Sequence, residues 1–327
     1  MHFLDSAFRR FLRRFRIARR GLQSEKIFVG AFGKHPGWDD HIDDIGLETD
    51  VLIAAKRKLY VQGIGGNVDS GSWDRLTSDH RIEDFDRQIF WHLDGRLIAG
   101  RMWSSQDGKG RRSYPFIVCV ECWKLPTQWI LENVLPQLEK IKGDCTAADS
   151  AKGVLLAIQQ ARQNLRRSAQ LCESSSNSMA ANPNALSKLA ERHKPVLGPE
   201  GLLRILYHLD REVGCLGPGP AKSKISGSTL LRLPVRPETS LEDTFLWSSF
   251  LLTKLGASTS ILVLVPRVDN RWIDLIVGEP TESQLYCLRA STKVIPLTST
   301  IPYNIGSEFV NRANRLIYGH NSPKCRL

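Results

Sequence analysis

Long apolar runs are missing from this chain of 327 residues: nothing approaches the ~18 consecutive apolar residues that a membrane-crossing helix requires. Ile261 to Val265, one of the longest clean stretches, stops at Pro266. A secretory signal is not expected either, because arginines interrupt the apolar pairs of the first 20 residues before a hydrophobic region can form. Cysteine is sparse: the seven are odd in number and scattered, which suits reduced, mostly buried thiols of a cytoplasmic protein better than a disulfide framework. There is no Gly-x-Ser-x-Gly turn and no Gly-x-Gly-x-x-Gly after a strand, so neither a hydrolase elbow nor a dinucleotide cradle is expected. No internal repeat argues for a solenoid or propeller. No cofactor is expected.

What is present is ample material for a core. Hydrophobic residues make up 42% and charged residues 24%, which excludes global disorder, and the length suits about two domains. The net charge of +11 is unevenly spread, with seven arginines and one aspartate in residues 1–20. The body is therefore only mildly basic, and specific nucleic-acid binding is not expected. Within the leader, Phe3, Leu4, Ala7, Phe8, Phe11, Leu12 and Phe15 recur at helical spacing. Arg9, Arg10, Arg13, Arg16 and Arg20 fall opposite, while Arg14 and Arg19 intrude on the apolar edge. Such a helix suits an anionic membrane surface, a partner's groove, or the chain's own body.

Beyond residues 1–22, the expected organisation is an α/β domain over 23–172, a flexible linker over 173–190, and a C-terminal α/β part over 191–327 that either stands alone or completes the same sheet. Lys26 to Phe32 reads as a strand entering a loop, Gly33 to Gly46. A helix is expected from about Leu47 to Gln62, ended by Gly63, Gly65 and Gly66. Asp94-Gly95 between two apolar runs is a hairpin signal, as is Asp269-Asn270. Helices are expected at Pro126–Lys142, Ala151–Leu171, Pro199–Glu212 and Leu241–Leu255. Hairpins mixed with helices predict an α+β fold, an antiparallel or mixed central sheet flanked by helices.

Two loops carry most of the chemistry. In the first, His35, Asp39, Asp40 and His41 lie close enough to suggest a divalent metal or acid/base site, although the spacing matches no common metal motif, and His80 or His92 would have to supply a further ligand. A structured surface loop is the alternative, with aspartates capping backbone donors and Lys34 as counter-charge. The second, Ser104 to Arg112, fails the Walker pattern, and Arg111 is expected to pair with Asp107 or Asp40. Cys119 and Cys122 have the Cys-x-x-Cys spacing, but in a strand residues three apart face opposite sides.

Together these loops resemble a family. Gly33, Lys34 and Pro36, followed by Asp40, are similar to the Gly-Lys-x-Pro…Gly-Asp-Phe signature of the TagF (ImpM-like) proteins of bacterial type VI secretion. Ser105, Asp107, Gly110, Arg111, Tyr114 and Pro115 resemble that family's Ser-x-Asp-x-x-Gly-Arg-x-Phe-Pro segment. Asp39 stands where the family has Gly and His41 where it has Phe, and one residue is inserted between Arg111 and Tyr114. The likeness covers roughly residues 26–140, with a weaker echo from Trp247 to Glu279.

The resemblance implies a non-enzymatic accessory protein that restrains a type VI-like secretion apparatus after translation. The implied partners are secretion components, among them a forkhead-associated scaffold protein, and the implied location is the cytoplasm; peripheral inner-membrane contact through residues 1–20 is the expectation from the leader itself. The competing expectations are a metal-dependent hydrolase built on His35, Asp39, Asp40 and His41, and a membrane- or nucleic-acid-associated adaptor using the leader. Under the first reading, Lys34 and Arg111 are expected to bracket Asp40 or Asp107 in a buried network, so that Arg111→Ala lowers thermal stability.

Overall fold

A computed structural model describes residues 25–112, 114–172, 182–214, 216, 227–267 and 271–318. The leader expected over residues 1–22 lies outside them, as do residues 173–181 of the expected linker and the turn at Asp269-Asn270.

Seven strands form one sheet: β1 (Ile27–Gly33), β2 (Arg87–Leu93), β3 (Arg96–Ser104), β4 (Pro115–Cys122), β5 (Thr229–Pro234), β6 (Ile261–Pro266) and β7 (Trp272–Val277). Their order is β1-β4-β3-β2-β6-β7-β5, and every neighbouring pair is antiparallel. The fold is α+β. The β2–β6 pair, with Phe90 opposite Val263, joins the chain before the linker region to the chain after it in a single sheet. The β2–β3 hairpin turns on Asp94 and Gly95, whose φ of 50° and 72° are the left-handed values that a two-residue turn of this kind demands.

Helices cover both faces, which explains why the strands read as short continuous apolar runs rather than alternating ones. One face presents Ile27, Val29, Phe90, Val118, Val120, Val263 and Leu275 to a large core shared with five helices: α2 (Thr127–Trp129 through Ile130–Val134 and Leu135–Ala147), α3 (Ala151–Gln170), α4 (Ala185–Val213), α5 (Ser240–Leu255) and α7 (Ser307–Tyr318). The other face presents Phe28, Phe32, Ile89, Trp91, Ile98 and Leu262 to α1 (Asp50–Ala55 through Lys56–Gly65 and Gly66–Asp69) and to the short α6 (Glu282–Leu285) with the 3₁₀ turn that follows it. Cys122 packs on the first face and Cys119 on the second, so the Cys-x-x-Cys pair is divided by the sheet.

Helix α1 departs from expectation. It starts at Asp50, capped by the Thr49 hydroxyl accepting from the Leu52 amide, then runs as Asp50–Ala55, π-helical Lys56–Gly65 and Gly66–Asp69. It thus passes straight through the glycines expected to end it. The reason is packing: a Cβ on Gly63 would come within 2.0 Å of a Leu285 methyl, and one on Gly66 within 2.6 Å of the Glu282 carboxylate. These glycines let α6 lie against α1. A second correction concerns the linker, since α4 already begins at Ala185 and residues 185–190 are helical. The helix expected from Pro199 is the second part of α4, after a break at Gly198 (φ 63°, ψ −177°).

Candidate functional site

Strand β1 leaves the sheet at Gly33, whose φ of 128° is available to glycine and strained for other residues. A Cβ there would sit 2.2 Å from the Pro115 carbonyl oxygen, at the start of β4. This close approach lets the Lys34 amide donate to Pro115 O at 3.2 Å and the Ile42 amide donate to Gly33 O at 2.8 Å, closing residues 34–41 into a compact turn. Gly37 packs against the start of α3, where a Cβ would meet the Ala151 nitrogen at 2.4 Å.

The 105–112 loop folds onto this turn. The Gly108 amide donates to Trp38 O at 2.7 Å, and Gly110, at φ 78°, returns the chain so that its amide donates to Asp107 O. At the junction sits Asp107, fully buried. Its Oδ1 accepts the Lys109 and Arg111 amides, each at 3.0 Å, and its Oδ2 accepts Lys34 Nζ and Arg111 Nε, each at 2.7 Å. Arg111 also reaches Asp40 Oδ1 at 3.1 Å and donates to Asp39 O at 3.0 Å. Burial pushes the Asp107 carboxyl up, but the bonds from Lys34 and Arg111 outweigh it and hold the group well below the usual carboxylate range. Lys34 and Arg111 therefore bracket Asp107 and tie the two turns together.

The network is buried at one end only. Lys34 and Asp107 are enclosed, whereas the Arg111 side chain is 50% exposed and that of Asp40 64%. The expectation of a wholly buried network is corrected accordingly. Tyr114 and Pro115 flank the junction, with Lys34 Nζ 5.6 Å from the Tyr114 ring centroid. Pro36 is exposed. Ser105 stands apart from the charged cluster. It lies in a neighbouring cleft of about 700 Å³ with Pro36, Trp103 and Arg112.

The imidazoles do not converge. His35 points inward, edge-on to Trp38 and Phe116, where its Nδ1 accepts the Gly37 amide at 3.0 Å and its Nε2 faces Cys145 O at 2.8 Å. Both ring nitrogens are thereby used within the fold. Burial lowers its pKa, only partly opposed by the Cys145 carbonyl. His41 lies on the other side of the turn, its Nδ1 2.8 Å from the Tyr60 hydroxyl and its ring edge-on to Tyr60 and Tyr114. Burial lowers the His41 pKa too; Asp40 opposes the shift, and Lys34, Arg111 and Lys56 add to it. Tyr60 keeps its proton, because burial and then Tyr114 and Asp40 raise its pKa. A protonated Tyr60 and a neutral His41 thus share this hydrogen bond.

Among the described residues no group of three His, Cys, Asp or Glu side chains is placed to hold a metal ion. His80 sits by Asp79 at the surface, and His92 is buried in β2. The metal grouping weighed for His35, Asp39, Asp40 and His41 is not assembled by this geometry.

Tyr60 was not foreseen as part of the site. It reaches His41 from the π-helical turn of α1, an irregularity that often marks a functional position. Only the apolar pattern around it signals a helix there, and nothing in that pattern distinguishes a phenol aimed at a loop 19 residues away. The outer surface of the junction is a rim of exposed Asp39, Asp40, His41, Lys109 and Arg112. Compared with known proteins, the chain matches no family model and no curated protein.

Proposed function

We propose that this protein is a non-enzymatic regulator of a type VI-like secretion apparatus, acting by protein–protein contact on the cytoplasmic side of the inner membrane and restraining assembly after translation. The observation that carries this reading is how the signature residues are used. Gly33 supplies a close backbone approach, and Lys34, Asp107 and Arg111 satisfy one another. The chemistry of the two loops is thus spent on holding a shape. What they hold outward is a mixed-charge rim of Asp39, Asp40, His41, Lys109 and Arg112, beside a cleft wide enough to take a few side chains of a protein partner.

In this reading a secretion component, such as a forkhead-associated scaffold protein, docks on that rim, and residues 1–20 add a peripheral contact with anionic lipid. Among the described residues no helix is long and apolar enough to cross a membrane. The test is a secretion assay in the source bacterium. Removing the protein should change release of a sheath-dependent substrate with no change in transcript levels, and Lys109→Glu with Arg112→Glu should reproduce that effect in a stably folded chain. Secretion unaltered by removal of the protein defeats the reading.

A further inference from the structure

Helix α1 leaves two large apolar side chains at the surface, Ile53 at 50% and Val61 at 54% exposure, and with Leu47 they line a groove of about 470 Å³. The chain that enters this groove is acidic in sequence, and one of its carboxylates, Asp44, lines the groove. Residues 39–50 carry six carboxylates and no lysine or arginine. Asp40, Asp44 and Glu48 are engaged by Arg111, Lys56 and Arg166 respectively, while Asp39 and Asp43 are exposed with no ion pair among the described residues. The segment with the complementary character is in the same chain. The first 20 residues pair three phenylalanines at helical spacing, Phe8, Phe11 and Phe15, with seven arginines and a single aspartate.

We infer that the basic leader packs as an amphipathic helix onto the Leu47–Ile53–Val61 groove of its own chain. The reach is ample. Glu25, where the described chain begins, and Glu48, next to Leu47, bond the same Arg166 guanidinium at 2.9 and 3.1 Å. From Glu25 back to Phe15, the intervening nine residues can span ~30 Å. A helix over residues 3–15 is itself only about 20 Å long. Tethered so closely, the leader meets the groove at an effective concentration of order millimolar, so a weak contact is enough to hold it. The phenylalanines supply the apolar anchors at steps of three and four, and Arg14, on the edge of that face, is placed to meet the carboxylates beside the groove, while the arginines of the opposite half face water. Arg57 is the lining cation that opposes such a helix, since Lys56 is engaged by Asp44. A leader seated here is withheld from lipid and from partners until something displaces it. This inference does not depend on the secretion reading.

Limited trypsin digestion of the full-length protein tests it, following cleavage after Arg9 to Arg20 by mass spectrometry. Ile53→Glu with Val61→Glu, at positions half-exposed in the fold, should speed leader cleavage about tenfold by removing the seated state. In a second full-length variant, Phe8→Asp with Phe11→Asp should speed it similarly and should raise amide exchange in residues 53–61. Equal cleavage rates in the wild type and both variants overturn the inference. So does protection that grows with protein concentration, which assigns the groove to a second copy. Protection by phosphatidylglycerol vesicles that is the same with and without Ile53→Glu and Val61→Glu, when those changes have no effect on leader cleavage in vesicle-free buffer, makes lipid the acceptor instead.

Discussion

Lys34 Nζ lies 2.7 Å from Asp107 Oδ2 across 73 residues of sequence, and both side chains are enclosed. Arg111 shares the same oxygen at 2.7 Å, but its side chain is half in solvent and its backbone amide bonds Asp107 Oδ1 whatever side chain it carries. The members of this network are therefore unequal. Lys34→Ala leaves a buried carboxylate short of its enclosed counter-charge and should lower Tm by about 5 °C or more. Arg111→Ala removes a pair screened by water and should cost at most about 1 kcal/mol. Thermal unfolding of the two variants side by side checks the order; an Arg111→Ala loss as large as that of Lys34→Ala contradicts it.

The same junction has an acid limit. Because the folded Asp107 pKa is depressed, its carboxylate contributes stability at pH values above the unfolded carboxylate value of ~3.9, and that contribution is lost as pH falls through the folded value. Asp107→Asn should be less stable than wild type at pH 7 and should lose less stability between pH 4 and 2. Urea titrations at the three pH values measure both differences.

Gly33 and Gly95 both have positive φ, yet they differ in what surrounds them. A Cβ on Gly33 meets the Pro115 carbonyl oxygen at 2.2 Å and Phe116 Cα at 2.9 Å, backbone atoms that no rotamer change can move. Around Gly95, in the β2–β3 turn, nothing lies within 4 Å. Gly33→Ala should cost ~2–4 kcal/mol and open the contact between the two loops. Gly95→Ala should cost roughly 1 kcal/mol, the left-handed penalty alone. Equal losses in equilibrium denaturation remove the close-approach argument.

These positions show where sequence was informative. Asp94-Gly95 announced its hairpin because a two-residue turn with both φ positive admits few residue pairs. The meeting of the loops around Gly33 and Asp107 was legible only as an expected charge pair between Arg111 and Asp40, since a glycine signals permissive backbone without naming what approaches it. Gly63 and Gly66 misled for that reason: their missing side chains make room for Leu285 and Glu282, more than 200 residues away, and no local rule separates that use from a helix stop. Tyr60 went unseen because its partner His41 is set by a π-helical turn, and helical periodicity carries no mark of a local change from four- to five-residue hydrogen bonding. Arg232 and Asp274 were equally hidden, as charged residues inside strands that otherwise read as apolar.

His92, in β2, is buried without a hydrogen bond at Nε2, and burial pushes its pKa down to about 4. Unfolded, it titrates near 6.5, so between about pH 6.5 and 4 the unfolded state binds more protons and stability falls with acidification. His35, His41 and His208 shift in the same direction and add to the slope. His92→Leu should flatten the stability profile across this window by about 3 kcal/mol and leave the others' contribution. Denaturation midpoints at pH 7, 5.5 and 4.5 provide the test, and a slope unchanged in His92→Leu refutes the assignment.

Arg232 of β5 and Asp274 of β7 face each other in register, both fully enclosed, with Nε to Oδ1 at 2.6 Å and a second bond at 2.9 Å. The guanidinium also donates to the carbonyls of Cys287, Ala290 and Ile295. One arginine thus pins the segment after α6 to the far edge of the sheet. Asp274→Ala strands a buried cation and should cost about 3–5 kcal/mol. Arg232→Met with Asp274→Leu removes both charges together and should recover much of that loss, but it leaves three carbonyls without their donor. If the arginine serves mainly to hold that segment, the double variant regains thermal stability while amide exchange in residues 287–295 stays faster than in wild type. If exchange there returns to the wild-type rate with stability, the carbonyl contacts contribute nothing and the pair is a matter of charge balance alone.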